Sequence, residues 1–158
     1  MGGKILIVDD EPDILELLAM IIAERTPHQV VTTNNPLEVP HLFKENTFDL
    51  LITDLRMPGL TGMDLIRETK KIDPDMPIIV ITAYGSSQSA EESITEGAYD
   101  YLTKPFRKDQ IIITINRAME WQAMKKEMKA LKPRYRQNPN NPMTAIPQSL
   151  ITTVRLEA

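Results

Sequence analysis

Cysteine is absent from these 158 residues. That excludes disulfides and thiolate metal sites, and it fits a reducing compartment. An excess of positive charge is also missing: 18 Lys and Arg face 22 Asp and Glu, for a net charge of −4. Such a balance offers no electrostatic footprint for nucleic acid. No apolar run approaches the roughly 18 residues of a membrane helix. The chain enters Lys4-Ile5-Leu6-Ile7-Val8 without a charged leader and a long apolar segment. The expectation is a cytoplasmic protein that contacts neither membrane nor nucleic acid. No internal repeat, Walker A motif or helix-turn-helix stands out. The length suits one domain with an addition and can bury a core without staples.

What is there is organised around Phe48-Asp49-Leu50-Leu51-Ile52-Thr53-Asp54-Leu55-Arg56-Met57-Pro58-Gly59. A short apolar run bounded by turn residues reads as a strand buried on both faces. Asp54 then falls at its carboxyl end, where ligand chemistry gathers in open parallel sheets; it can equally cap the next loop. Lys4 to Val8 is a strand of the same kind, ending at Asp9-Asp10-Glu11. Pro12 suits the first helical turn, and Ile14, Leu17, Leu18, Ile21 and Ile22 form a one-sided stripe that Pro27 stops. Gln29 to Thr33 is a less apolar strand, expected nearer an edge. A second helix runs from Asn34-Asn35-Pro36 to about Glu45, but Pro40 removes a backbone donor within it, so it should be short, kinked or late to start. Met63, Leu65, Ile66 and Ile72 mark a third helix that ends before Pro74. Pro77 to Ile81 is a fourth strand leading to Thr82-Ala83. A polar helix follows from Ser86 to about Glu96, stopped by Gly97. Tyr99 to Leu102 is a fifth strand before Lys104-Pro105, and a last helix starts near Arg107 with Ile111, Ile112 and Ile115. Five such alternations predict an α/β protein with a parallel sheet covered on both faces.

Asp9, Asp10, Asp54, Thr82 and Lys104 therefore share one edge of the sheet. Three packed carboxylates repel one another unless a cation joins them. An oxygen-only ligand set suits Mg²⁺. Lys104 can neutralise a negative group beside Asp54, and the Thr82 hydroxyl can donate a hydrogen bond to it. The alternative is a row of solvated acids with a surface lysine.

The runs Ile5 to Glu11, Leu51 to Gly59, Ile81-Thr82-Ala83 and Gly97 to Phe106 together resemble the receiver domain of bacterial two-component response regulators, over about residues 3 to 118. The Gly97 to Phe106 run is most similar to receivers joined to sigma-54-dependent transcriptional activators. The resemblance implies a flavodoxin-like, doubly wound five-stranded sheet of order 2-1-3-4-5. It implies Asp54 as phosphoacceptor for a histidine kinase, and Mg²⁺ held by Asp9, Asp10, Asp54 and the backbone carbonyl of Arg56. It makes Thr82 the switch hydroxyl, Lys104 the cation bonded to the phosphoryl group, and the Lys104–Pro105 peptide cis. Tyr101 becomes an aromatic switch, where the residues alone allow a plain half-buried strand side chain. By the same resemblance the chain catalyses only its own phosphorylation and dephosphorylation. A phosphatase-like Mg²⁺ hydrolase would place a general acid two residues after Asp54, where this chain has Arg56. A receiver-like module that takes no phosphate is the other alternative, and the complete set of site residues argues against it. Arg56 and Tyr84 flank the path of a hydrolytic water and are expected to set the lifetime of the phosphorylated state.

The last helix outruns the domain. Ile115, Ala118, Trp121, Met124, Met128 and Leu131 keep three- and four-residue spacing up to Pro133, interleaved with Lys125, Lys126 and Lys129. That stripe fits a coiled-coil seam for a homodimer, a lead into an output domain outside this chain, or a solvated linker. The expected division is a receiver at 1–118, a helical extension at 119–132 and a disordered, Pro- and Asn-rich tail at 133–158. In that tail Leu150 to Leu156 is a lone strand or sequence contributed by a cloning vector.

Overall fold

Apolar runs without alternation become strands buried on both sides, and the computed structural model carries five of them. It describes residues 2–83 and 85–137, with side chains through residue 131. The strands are β1 (Lys4–Val8), β2 (Gln29–Thr33), β3 (Leu50–Thr53), β4 (Ile78–Thr82) and β5 (Asp100–Thr103). All pairings are parallel and the order is β2-β1-β3-β4-β5, the predicted doubly wound arrangement. The central strands are closed off on both faces, whereas β2, with its Thr-rich sequence, lies at an edge as expected.

The helices are α1 (Pro12–Arg25), α2 (Val39–Glu45), α3 (Gly62–Ile72), α4 (Ser87–Glu96) and α5 (Lys108–Gln137). Alternate strand residues feed two cores, as period-two side-chain geometry requires. Ile5, Ile7, Leu50, Ile52, Ile79 and Ile81 pack with Leu15, Leu18 and Ile22 of α1 and Ile111, Ile115 and Ala118 of α5. Leu6, Val8, Leu51, Ile78 and Val80 face the other way, onto Val39, Leu65, Ile66 and Phe48.

Pro40 has the predicted effect. A 3-10 turn at Pro36–Glu38 comes first, and the seven-residue α2 starts only at Val39. Pro40 thereby falls in the first turn, where its missing N–H has no partner to lose. Ile72 departs from the expected face of the third helix and is exposed; in α4, Ile94 is exposed and Ser93 is buried. The Ser93 hydroxyl donates to the Ser89 carbonyl at 2.8 Å and lies 3.7 Å from Met63 Sδ on α3. Gly97 ends α4 at φ +121°, a conformation that favours glycine.

Two compact units divide the chain, Met1–Gln122 and Ala123–Ala158. In the first, the Trp121 ring lies 5.8 Å from that of Tyr99, and Gln122 is buried. In the second, Met124 and Met128 are exposed and the helical backbone reaches Gln137. It thus passes Pro133, where the sequence predicts its end. Proline removes one donor there, yet its fixed φ remains compatible with a helix. The tail beyond 137, including Leu150 to Leu156, lies outside the described residues.

Candidate functional site

Strand register builds the site. Val8 pairs with Thr53, so the next residues, Asp9 and Asp54, leave the sheet side by side. Thr82 pairs with Thr103, so Lys104 follows directly beside that strand end. Both first carboxylates are almost completely enclosed, at 2% exposure each, while Asp10 and Glu11 are exposed. Backbone amides hold the buried pair. Asp54 Oδ1 accepts from the Leu55 amide at 2.6 Å and the Arg56 amide at 3.3 Å. Asp9 Oδ1 accepts from the Glu11 amide at 2.9 Å.

Lys104 joins the two. Its Nζ donates to Asp9 Oδ2 at 2.8 Å and to Asp54 Oδ2 at 2.9 Å, and its amide donates to the Thr82 carbonyl at 2.9 Å. Burial alone would push the ammonium pKa down, but the hydrogen bonds to Asp9 and Asp54 outweigh it and raise it. Lys104 is thus held charged. Burial raises the Asp9 pKa, and the Lys104 hydrogen bond only partly opposes this. The site has more negative charge enclosed than one ammonium satisfies.

Asp10, Glu11, Asp54, Arg56, Met57, Pro58 and Thr61 line an open cleft of about 400 Å³ over this cluster. Oxygens of Asp9, Asp10, Glu11 and Asp54 lie within 4.8 Å of one another, a hard-donor set without histidine or cysteine. That donor chemistry fits Mg²⁺, which takes one or two carboxylates and keeps several waters. Glu11 is the member to which the sequence reading gave no role. It stands 3.6 Å from Lys104 Nζ, and its only sequence signal is adjacency to Asp10.

The flanks are equally specific. Thr61 caps α3, accepting from the Asp64 amide and donating to the Asp64 carboxylate. Gly62 then packs onto the Asp54 backbone: a Cβ there would stand 2.2 Å from the Asp54 carbonyl oxygen. Gly59 turns the same loop at φ +93°, with Leu37 at ordinary contact distance. Thr82 is fully buried at the end of β4. Tyr101 on β5 is half-buried, and its enclosed hydroxyl lies beside the Ser86 backbone without a hydrogen bond of good geometry. Burial raises its pKa. The Lys104–Pro105 peptide is cis. Tyr84 lies outside the described residues.

Residues 5–116 match the response regulator receiver domain family. Regulatory protein AtoC of Escherichia coli K12 is 34% identical over 129 residues, covering 82% of this chain and 28% of that protein. A crystal structure of NtrX from Brucella abortus superposes with a TM-score of 0.77 at 33% identity, covering 83% of this chain and 30% of that one. The solution structure of the beryllofluoride-activated NtrC4 receiver domain dimer gives 0.72 at 34% identity, covering 75% and 98%. The chain spans about a quarter of the length of the curated relatives it matches. No described helix is long and apolar enough to cross a membrane. Matched along most of its length by the family's own pattern, and folded as a parallel sheet of order β2-β1-β3-β4-β5, the chain belongs to the response regulator receiver domain family.

Proposed function

We propose that Asp54 accepts a phosphoryl group from a histidine kinase or a small phosphodonor, and that the altered α4–β5 surface then controls an output module outside this chain. The observation that carries this reading is the Lys104 ammonium shared between Asp9 and Asp54, beside the further acids Asp10 and Glu11. In the transfer an Asp54 oxygen attacks phosphorus. The bond from phosphorus to the donor's nitrogen or oxygen breaks, and the leaving group departs with its electron pair. Phosphoryl transfer asks mainly for positioning and charge stabilisation. The amides of Leu55 and Arg56 fix Asp54, and Lys104 offsets the added charge. Asp9, Asp10, Asp54 and the Arg56 carbonyl would hold Mg²⁺, which when bound neutralises charge on the transferring group. The Thr82 hydroxyl then donates to the phosphoryl oxygens and Tyr101 turns in response.

The signal ends by hydrolysis: water attacks phosphorus, the bond from phosphorus to the Asp54 oxygen breaks with its electron pair left on the carboxylate, and inorganic phosphate departs. The chain thus acts only on its own phosphoryl group. Arg56 offers donors but no acceptor, so it takes no proton from that water; with Tyr84 it makes the phosphorylated state long-lived. Residues 1–118 serve as the receiver and 119–132 as a helical extension; of the 115–131 stripe, Ile115 and Ala118 are taken up in the sheet's core, and self-association falls to its exposed part, Met124 and Met128. An output in transcription accords with the relative named transcriptional regulatory protein GlrR of Escherichia coli; the sigma-54-dependent kind of output and a cytoplasmic location belong to this reading through the family resemblance.

The test is intact mass after incubation with a small acyl or amido phosphate and Mg²⁺. The expected result is one phosphate, lost in Asp54→Asn with the fold retained. An adduct mapped mainly to another residue overturns the assignment. Asp10→Ala should weaken Mg²⁺ binding roughly tenfold or more, followed by magnetic-resonance shifts at the site; unchanged affinity removes Asp10 from the ligand set.

A further inference from the structure

We propose that Gly85 is the positioning residue that lets Tyr101 turn inward: its missing Cβ is the space the ring occupies beneath the loop between β4 and α4. This rests on the reading of Tyr101 as the switch given above. A Cβ built on Gly85 would stand 2.6 Å from Thr103 Cγ2, 2.9 Å from the Tyr101 hydroxyl oxygen and 3.4 Å from Tyr101 Cε1. Approaches below 3.0 Å are not sustained by real Cβ atoms, so any side chain at 85 displaces something. Backbone conformation is not the reason for this glycine, because Gly59 and Gly97 are the glycines with positive φ among the described residues. The requirement at 85 is for volume alone.

The Tyr101 hydroxyl is enclosed, with the Ser86 backbone beside it but no hydrogen bond of good geometry, so packing against the loop and the neighbouring core does most to keep the ring in place. The loop begins at Thr82, and Gly85 is its point of contact with the ring. The volume at position 85 therefore bears directly on the direction of the Tyr101 ring. Adding a Cβ at 85 should hold the ring outward with no phosphate on Asp54, while the acids and Lys104 stay as they are.

The experiment uses the full chain labelled with 3-fluorotyrosine, with the Tyr101 fluorine resonance identified by its loss in Tyr101→Phe. Without phosphodonor, Gly85→Ala should move that resonance to the position of a solvent-exposed fluorotyrosine; an unmoved resonance overturns the proposal. Intact mass with a small phosphodonor should show that Gly85→Ala still takes one phosphate. Absence of an adduct in the parent chain would sink the phosphorylation reading while leaving the resonance result to stand or fall alone. A second measurement guards against poor folding. The Tm loss from Gly85→Ala is compared in Thr103→Ser, which removes the crowded methyl, and in Thr103→Ser with Tyr101→Ala. The loss should at least halve in the second background. An equal loss in both would mean that the glycine makes no room for Tyr101.

Discussion

α1 and α4 are both single helices against the same sheet, and they are held in different ways. α1 buries Leu15, Leu18, Ile21 and Ile22. Each such side chain is worth about 1.5–3 kcal/mol on burial, so α1 cannot leave without dismantling a core. α4 buries Ser93 and leaves Ile94 in solvent. Its ties to α3 are the Ser93–Met63 contact and the Arg67–Glu96 ion pair at 3.1 Å. The helix near Thr82 and Tyr101, the proposed switch residues, is the one with little hydrophobic anchoring, and small energies suffice to shift it. Low local stability is where conformational change is drawn from.

The comparison is broken most directly at α1. Leu18→Ala should cost about 2–5 kcal/mol in denaturant unfolding; a loss near that of a surface substitution would mean α1 is not the fixed flank. At α4, Arg67→Ala should raise amide exchange of 87–96 while leaving α1 amides and the global midpoint nearly unchanged. If both helices exchange faster together, α4 is not a separately opening unit. A subtler effect comes from pH. The hydrogen bond from Arg67 holds the Glu96 carboxyl below its ordinary value of 4.5. An acid with a depressed folded pKa contributes stability that is present above its unfolded value and lost as pH falls through the folded one. Protection factors in α4 should therefore decline below about pH 4.5 in the parent but not in Glu96→Gln. The smallest effect belongs to Ile94→Ala, expected within about 0.5 kcal/mol of the parent in the same unfolding assay. A large loss there would show that Ile94 anchors α4 after all.

The contrast also explains what could be read from the sequence. Ile5 to Val8, Leu50 to Ile52 and Ile78 to Ile81 are unbroken apolar runs, so their strands and the carboxyl-edge position of Asp9, Asp54 and Thr82 followed directly. Pro40 delayed α2 for a reason visible in its chemistry. The polar stretch of α4 carried no comparable signal. Nothing in its sequence says that Ser93 faces inward and Ile94 outward, because the neighbouring Met63 comes from another helix. Lys104 was legible as a partner of Asp54, but its equal grip on Asp9 depends on the β1–β3 register bringing both acids within one side chain's reach. Glu11 was missed for the same reason: its nearness to Lys104 is a distance across the sheet, not along the chain.

Gly59 in the loop and Gly62 at the start of α3 lie three residues apart, yet a saturation library should report them as different kinds of position. At 59 the demand is on the torsion angle, with open room beside Leu37. Asparagine or aspartate, which enter positive φ more readily than other residues, should survive there in part, and β-branched residues should not. At 62 the demand is on volume, since any Cβ would press on the backbone of Asp54 and Leu55. Even alanine should be depleted, and the depletion should appear in phosphate uptake as well as in folding, because the atoms displaced belong to Asp54, the proposed acceptor.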